Sequence, residues 1–252
     1  MTSMKVLYHE LKQLADKYGV IGLKHSFEDE GVTLDEVIFM RRLTDLCNLS
    51  SFVKVGGCEA KSNIYDCIKY GIDGIIAPMV ETKFALSKFI SVVSKYSSVA
   101  DAYVVIESKT AYRNIEEILQ YSGDLKGIIV GRSDFSSSYD LDKSEADSDF
   151  IYDKVEDILR KAKTYNLYTT LGGNICKKSI SFIKNMYFKK ILNRVETRNV
   201  VIELSDTNID KFEEVIAKTL VFESSMLKYK HDTFAKNTEE YSNRIKILMT
   251  RV

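Results

Sequence analysis

From residue 20 to residue 204 the chain alternates between short apolar runs of β type and longer stretches of helical periodicity. No other feature narrows the fold as much. The runs are VIGLKHSF (20–27), SFVKVGG (51–57), GIIAPMV (74–80), AYVVIES (102–108), LKGIIVGRSD (125–134) and LYTTLGG (167–173). FKKILNRVE (188–196) and NVVIEL (199–204) follow. Helical patterns separate most of them, over 33–47, 59–70, 83–96, 112–121, 149–165 and 176–186. Near-continuous apolar strands, each followed by a helix, build a parallel sheet covered on both faces. Eight of them favour a closed (β/α)8 TIM barrel over an open doubly wound sheet, and a chain of 252 residues suits one such barrel. The last pair is irregular. Only a few residues part the seventh and eighth runs, so they form either one long strand or a hairpin-like departure.

Residues 207–250 carry apolar residues at three-to-four spacing and are expected to form additional C-terminal helices. Those helices either close the barrel or pack on another subunit. No linker or low-complexity tract interrupts the chain, so the expected organisation is a single barrel domain over 1–252, with 207–252 as its helical extension.

The charge balance excludes some functions. Lys and Arg together number 36, as do Asp and Glu, so the chain has no basic footprint for general nucleic-acid or anionic-membrane binding. No apolar stretch has the roughly 18 residues of a membrane span. The first 19 residues read as an amphipathic helix with charges throughout and lack the apolar region of a signal peptide. Cys47, Cys58, Cys67 and Cys176 show no CxxC or zinc-type spacing, so reduced thiols in a cytoplasm are the expectation.

Barrel enzymes place their chemistry at the C-terminal ends of strands, so the informative residues are those on which each run ends. The first ends on Lys24, His25, Glu28 and Glu30, and the second on Lys54 and a glycine pair. Pro78, the one proline of the chain, and Glu81 end the third, and Glu107 the fourth. The fifth ends on Gly131, Arg132, Ser133 and Asp134, the sixth on Gly172 and Gly173, and Glu196-Thr197-Arg198 follow the seventh. Glu107 and Asp134 lie one strand–helix–strand unit apart, which makes them neighbours at the mouth of adjacent parallel strands. Two carboxylates with no His or Cys cluster suit a hard cation such as Mg²⁺ or Mn²⁺. The alternative is that Glu107 caps the next helix and Asp134 pairs with Arg132. Charged residues closing an apolar strand need such partners, since they are rarely buried alone. The acidic stretch SSSYDLDKSEADSD (136–149) follows directly, either as a lid or as a solvated loop.

VVIESKTAYRNIEEIL and GIIVGRSDFSSS, together with VKVGGCEAKSNIYDCIKYGIDGIIAPMVET, resemble motifs of the HpcH/HpaI aldolase/citrate lyase family of (β/α)8 barrels over residues 20–200. The first matches a strand-glutamate motif with an Asn three residues after an Ala, the second a Gly-x-x-Asp motif. The third is similar to a central segment with an APMV-Glu strand. The resemblance implies a metal-dependent carbon–carbon lyase, with Glu107 and Asp134 holding a divalent ion that chelates a 2-oxo acid such as pyruvate. A cation on the carbonyl oxygen stabilises the enolate through which bonds next to a carbonyl break. Gly131 and the main-chain N–H groups up to Asp134 are expected to approach the substrate carboxylate, because glycine leaves that approach open.

The chain departs from the family pattern in four places. Lys54 stands where the family has an Arg, and lysine lacks the bidentate fork. Val105 replaces a glutamine and Arg132 a proline, and no Glu-His pair precedes Lys54, although His25, Glu28 and Glu30 lie nearby. His25 is the expected general base, having a suitable ordinary pKa, with a metal-held water as the other carrier of the proton. Lys54 orients the substrate anion in this scheme, and Lys24, Arg132, Ser133, Gly172 and Gly173 are expected to contact substrate. The expected substrates are a small 2-oxo acid and an aldehyde-type partner, and the expected assembly is a homo-oligomer. Two rival readings keep the fold: another enolate-forming reaction on a phosphorylated or thioester substrate, and a non-catalytic barrel subunit.

Overall fold

The computed structural model describes residues 3–28, 31–96 and 100–251, so Glu30 lies outside the described residues. Eight strands close into a barrel in chain order. β1 (Val20–Ser26), β2 (Ser50–Lys54), β3 (Gly74–Ala77), β4 (Asp101–Ile106), β5 (Gly127–Gly131), β6 (Tyr168–Gly172) and β7 (Arg194–Glu196) are parallel to one another. β8 (Val200–Glu203) runs against both of its neighbours, β7 and β1. Of the two readings of the last runs, the hairpin is the one formed. Residues 197–199 leave room for nothing else, since a parallel return needs a crossover of a dozen residues or more. The barrel therefore has seven parallel strands and one reversed.

α1 (Met4–Tyr18) precedes the barrel, capped by the Ser3 side chain on the Val6 N–H and stopped by Gly19 at φ 76°. Its buried side chains, Leu7, Leu11, Leu14 and Tyr18, lie on one face at three-to-four spacing. α2 (Leu34–Cys47) follows β1 and opens on a capping box between Thr33 and Glu36. α3 (Lys61–Lys69) and α4 (Lys83–Tyr96) follow β2 and β3. The helical pattern after β4 is split into α5 (Lys109–Arg113) and α6 (Ile115–Leu119), with the side chain of Asn114 at the break donating to the Glu81 carbonyl at 2.8 Å. α7 (Arg132–Ser137) and α8 (Asp149–Thr164) follow β5, and α9 (Ile180–Phe188) follows β6.

After β8 come α10 (Asp206–Ile209) and one 38-residue helix, α11 (Phe212–Met249), which together form the expected C-terminal helices. The first part of α11 packs on the barrel through Phe212, Val215, Ile216, Thr219, Phe222 and Glu223. From Thr233 to Arg251 every residue is exposed. Among the described residues no helix is long and apolar enough to cross a membrane.

The core has two layers. Side chains alternate across each strand, so one set fills the lumen, namely Phe52, Ile76, Tyr103, Val105, Ile129 and Val201. The other set meets the helices in a larger cluster that includes Leu23, Val53, Ile75, Val104, Ile128 and Leu171. Below the mouth the lumen retains a cavity of only about 10 Å³, so it is packed and not a pore. A second cavity, of about 550 Å³, lies outside the barrel against α2 and α11.

Candidate functional site

The lumen rows continue upward into charge. Two positions past Phe52 stands Lys54, two past Val105 stands Glu107, and two past Arg194 stands Glu196, so period-two alternation turns all three inward at the mouth. Lys24 joins them from β1 through an ion pair with Glu196. Both partners are largely buried, and Gly172 makes room for the carboxylate, because a Cβ there would stand 2.9 Å from Glu196 Oε1. Lys54 lies 3.2 Å from Glu28 Oε2 at the outer edge of the same ring.

Glu107 is 4% exposed. Its Oε1 accepts the Met79 N–H at 2.9 Å, and Met79 presents that group from a left-handed backbone at φ 52°, just after Pro78. Such strain in a non-glycine residue concentrates at functional sites. Burial pushes the Glu107 carboxyl above the usual carboxylate range, Lys54 and the Met79 N–H pull it back, and Asp134 and Glu28 push it further up. Glu107, Lys54, Glu28 and Asp134 are thus electrostatic neighbours. Asp134 is exposed in the first turn of α7. Neither structural alternative for the two carboxylates is formed. Ser108, not Glu107, caps α5, and Arg132 pairs with Asp147 instead of Asp134.

Several expected contacts take a different form. Lys24 and His25 are consecutive on a strand, so only one of them can face the lumen. Lys24 does, and His25 points outward to line the outer cavity, with its Nδ1 3.3 Å from Asn199 Nδ2. His25 is therefore not among the groups gathered around Glu107. Arg132 has no exposed surface. It donates to the carbonyls of Gly172 (3.2 Å), Gly173 (2.8 Å) and Ala146 (3.3 Å), to Ser179 Oγ (3.2 Å) and to the Asp147 carboxylate. Its guanidinium also stacks 5.0 Å over Phe182. The expected substrate contact is replaced by an internal clamp that ties the end of β6 to the acidic stretch after α7. That stretch is fastened, with a 3-10 turn at Lys143–Asp147, and is not a free lid.

The glycines serve the protein's own groups. A Cβ on Gly131 would stand 2.9 Å from Glu107 Oε2, and one on Gly173, at φ 79°, would stand 2.5 Å from the Ser133 nitrogen. Gly131 thus makes room for the buried carboxylate, and Gly173 rests against the first backbone N–H groups of α7, beside Ser133. Glu196, as the counter-charge of Lys24, is the site residue that sequence reasoning undervalued. The signal was present, since it ends an apolar strand in the same way as Glu107.

The donor chemistry fits a hard cation. Glu107 is a buried carboxylate whose charged form Asp134 also disfavours, and a nearby positive charge would relieve both burial and repulsion. Among the described residues no group of three or more His, Cys, Asp or Glu side chains is placed to hold a metal. A cation here would rest on two carboxylates and complete its shell with water or substrate oxygens, the habit of Mg²⁺. The larger cavity lies outside the barrel, and the convergent charged groups stand at the mouth, where barrel enzymes carry their chemistry, which makes the mouth the candidate site.

A barrel whose charged side chains converge at the C-terminal ends of its strands has the architecture of a barrel enzyme. Residues 32–176, more than half of the chain, match the HpcH/HpaI aldolase/citrate lyase family, and the chain belongs to that family of lyases. No curated protein matches it in sequence. Its fold is similar to that of an HpcH/HpaI aldolase from Desulfitobacterium hafniense DCB-2, with a TM-score of 0.63 and 11% identity over 87% of this chain and 89% of the other. An HpcH/HpaI aldolase/citrate lyase family protein from Burkholderia cenocepacia J2315 gives 0.63 and 12% over 78% and 84%. Citrate synthase SbnG gives 0.61 and 14% over 92% and 91%.

Proposed function

We propose that the chain is a divalent-metal-dependent carbon–carbon lyase of the aldolase type that acts on a 2-oxo acid, as a cytoplasmic homo-oligomer. The observation that carries this reading is the buried Glu107 carboxylate, held at the barrel mouth beside Asp134 and Lys54. Family membership supports the reaction class. Glu107 and Asp134 hold Mg²⁺ or Mn²⁺, which when bound polarises the oxo group of the substrate.

Lys54 takes the substrate carboxylate in place of its contact with Glu28. The Lys24–Glu196 pair, neutral as a unit, forms the floor beneath the reacting carbons. Cleavage of a 4-hydroxy-2-oxo acid breaks the C3–C4 bond, and the bond electrons pass to the enolate of the 2-oxo fragment. The hydroxyl proton leaves with a water and the aldehyde departs. The enolate then regains a proton at C3. His25 takes no part, since it faces away. Burial pushes the Cys67 thiol up to about 12, which leaves it a small core residue and not a nucleophile. The free thiols suit a reducing compartment.

The test is proton exchange of pyruvate in D₂O, followed by NMR with and without Mg²⁺. The wild type should exchange the methyl protons only with the metal. Asp134→Ala should lose both exchange and Mg²⁺ binding while still unfolding cooperatively. Unchanged Mg²⁺ affinity in that variant would sink the site assignment.

A further inference from the structure

Cleavage at the mouth moves one proton, from the substrate hydroxyl to C3, and that proton needs a carrier. Histidine is the side chain most often used, yet none of the three faces the mouth. His9 and His231 are exposed on α1 and α11, and His25 lines the outer cavity. Most of the charged groups at the mouth already have a role. Glu107 and Asp134 serve the cation, Lys54 takes the substrate carboxylate, and the exposed Glu28 pairs with Lys54 from outside. Glu196, with its partner Lys24, is the carboxylate that remains.

Two glycines set its geometry. Gly131 on β5 and Gly172 on β6 are direct partners in the sheet, so they turn the same way, and neither puts a side chain into the lumen. Glu107 leans from β4 over Gly131, where a Cβ would stand 2.9 Å from its Oε2. Glu196 leans from β7 over Gly172 in the opposite sense, where a Cβ would stand 2.9 Å from its Oε1. The two carboxylates thus lean toward each other over a seat without side chains, on strands about 4.8 Å apart. Glu196 is 5% exposed. Among the described residues its one hydrogen bond comes from Lys24 and ends on Oε1, so Oε2 carries none. The Lys24 ammonium holds the carboxylate in place and balances its charge in the lumen.

We propose that Glu196 is a catalytic residue, the proton carrier of the lyase, and that Lys24 positions it. The inference rests on the lyase reading of the mouth. Oε2 receives the hydroxyl proton by way of the water as the C3–C4 bond breaks and its electron pair becomes the enolate. The same carboxyl then gives that proton to C3. Glu196 ends as the carboxylate it began as, and no further reactant is consumed. In the reverse sense it takes a proton from the methyl group of pyruvate.

The probe is pyruvate with Mg²⁺ in D₂O, its methyl exchange followed by NMR, beside Mg²⁺ binding measured by calorimetry. Glu196→Gln should bind Mg²⁺ as the wild type does and exchange about 10²–10⁴-fold more slowly. Glu196→Gly should be as slow, and added formate, a free carboxylate that fits the space vacated above Gly172, should restore exchange in proportion to its concentration. Formate should leave the wild-type rate unchanged. Lys24→Met combined with Glu196→Gln removes both charges at once, so slow exchange in that cooperatively folded variant separates lost chemistry from a lysine stranded without its partner. With an exchanging wild type, an undiminished rate in Glu196→Gln, or no effect of formate on Glu196→Gly, overturns the inference and leaves the lyase reading standing. A wild type that binds Mg²⁺ but exchanges no pyruvate protons overturns both.

Discussion

The surroundings of Glu107 work against its charged form. Its folded-state pKa lies above the ordinary glutamate value because burial disfavours the charge. A raised carboxyl adds stability below the unfolded pKa, and that contribution is lost as pH climbs through the folded value. Metal-free protein should therefore weaken over that window. Glu107→Gln, which keeps an acceptor for the Met79 N–H, should melt higher than the wild type at pH 7 without metal. The expected gain is about 1 kcal/mol, or roughly 2–4 °C for a chain of this size. The difference should fade near pH 4, and Mg²⁺ should raise the melting temperature of the wild type alone. A lower melting temperature for Glu107→Gln under metal-free neutral conditions would show the carboxylate to be structurally satisfied. Glu107 was legible in the sequence because apolar strands have no use for a terminal carboxylate. Lys24 and His25 were legible as polar strand-end residues, but alternation admits only one of them to the lumen. The clamp made by Arg132 was not legible, because its partners Asp147, Gly173 and Ser179 come from three other segments.

The β7–β8 hairpin is held from outside. Glu223 on α11 accepts both the Thr197 hydroxyl and the Asn199 N–H at 2.6 Å, and it is itself buried. Removing that carboxylate takes the shortest acceptor from both donors, at a cost of about 1–3 kcal/mol. Glu223→Ala should lower the melting temperature by several degrees, measured by calorimetry, and Glu223→Gln by less, since its amide oxygen can still accept. Equal losses in the two variants would place the effect in packing and not in the hydrogen bonds. The seven parallel strands were readable because each is an apolar run followed by a helix. The direction of β8 was not fixed by its composition, as NVVIEL reads alike either way. It follows from the three residues before it, too few for a crossover. The break at Asn114 depends on a carbonyl of the preceding βα turn, which no local pattern contains.

For the whole molecule, the proposed homo-oligomer makes folding depend on concentration. If assembly and barrel unfold together, the melting temperature should rise with protein concentration. Differential scanning fluorimetry over a hundredfold concentration range reads this directly, and a flat response would separate assembly from barrel stability. The helical nature of 207–250 was plain from its spacing, but its continuity as one rod came from the lack of any breaker between Phe212 and Met249. The reversed eighth strand also decides by which end the chain leaves the barrel. After an upward eighth strand, the final helix would descend and end at the closed base. β8 instead descends to Gly19 at the base, and α11 climbs back until Glu223 meets the 197–199 turn at the mouth. Beyond Glu223 the helix runs on past α2, so its last turns stand on the side of the charged mouth and not at the closed base.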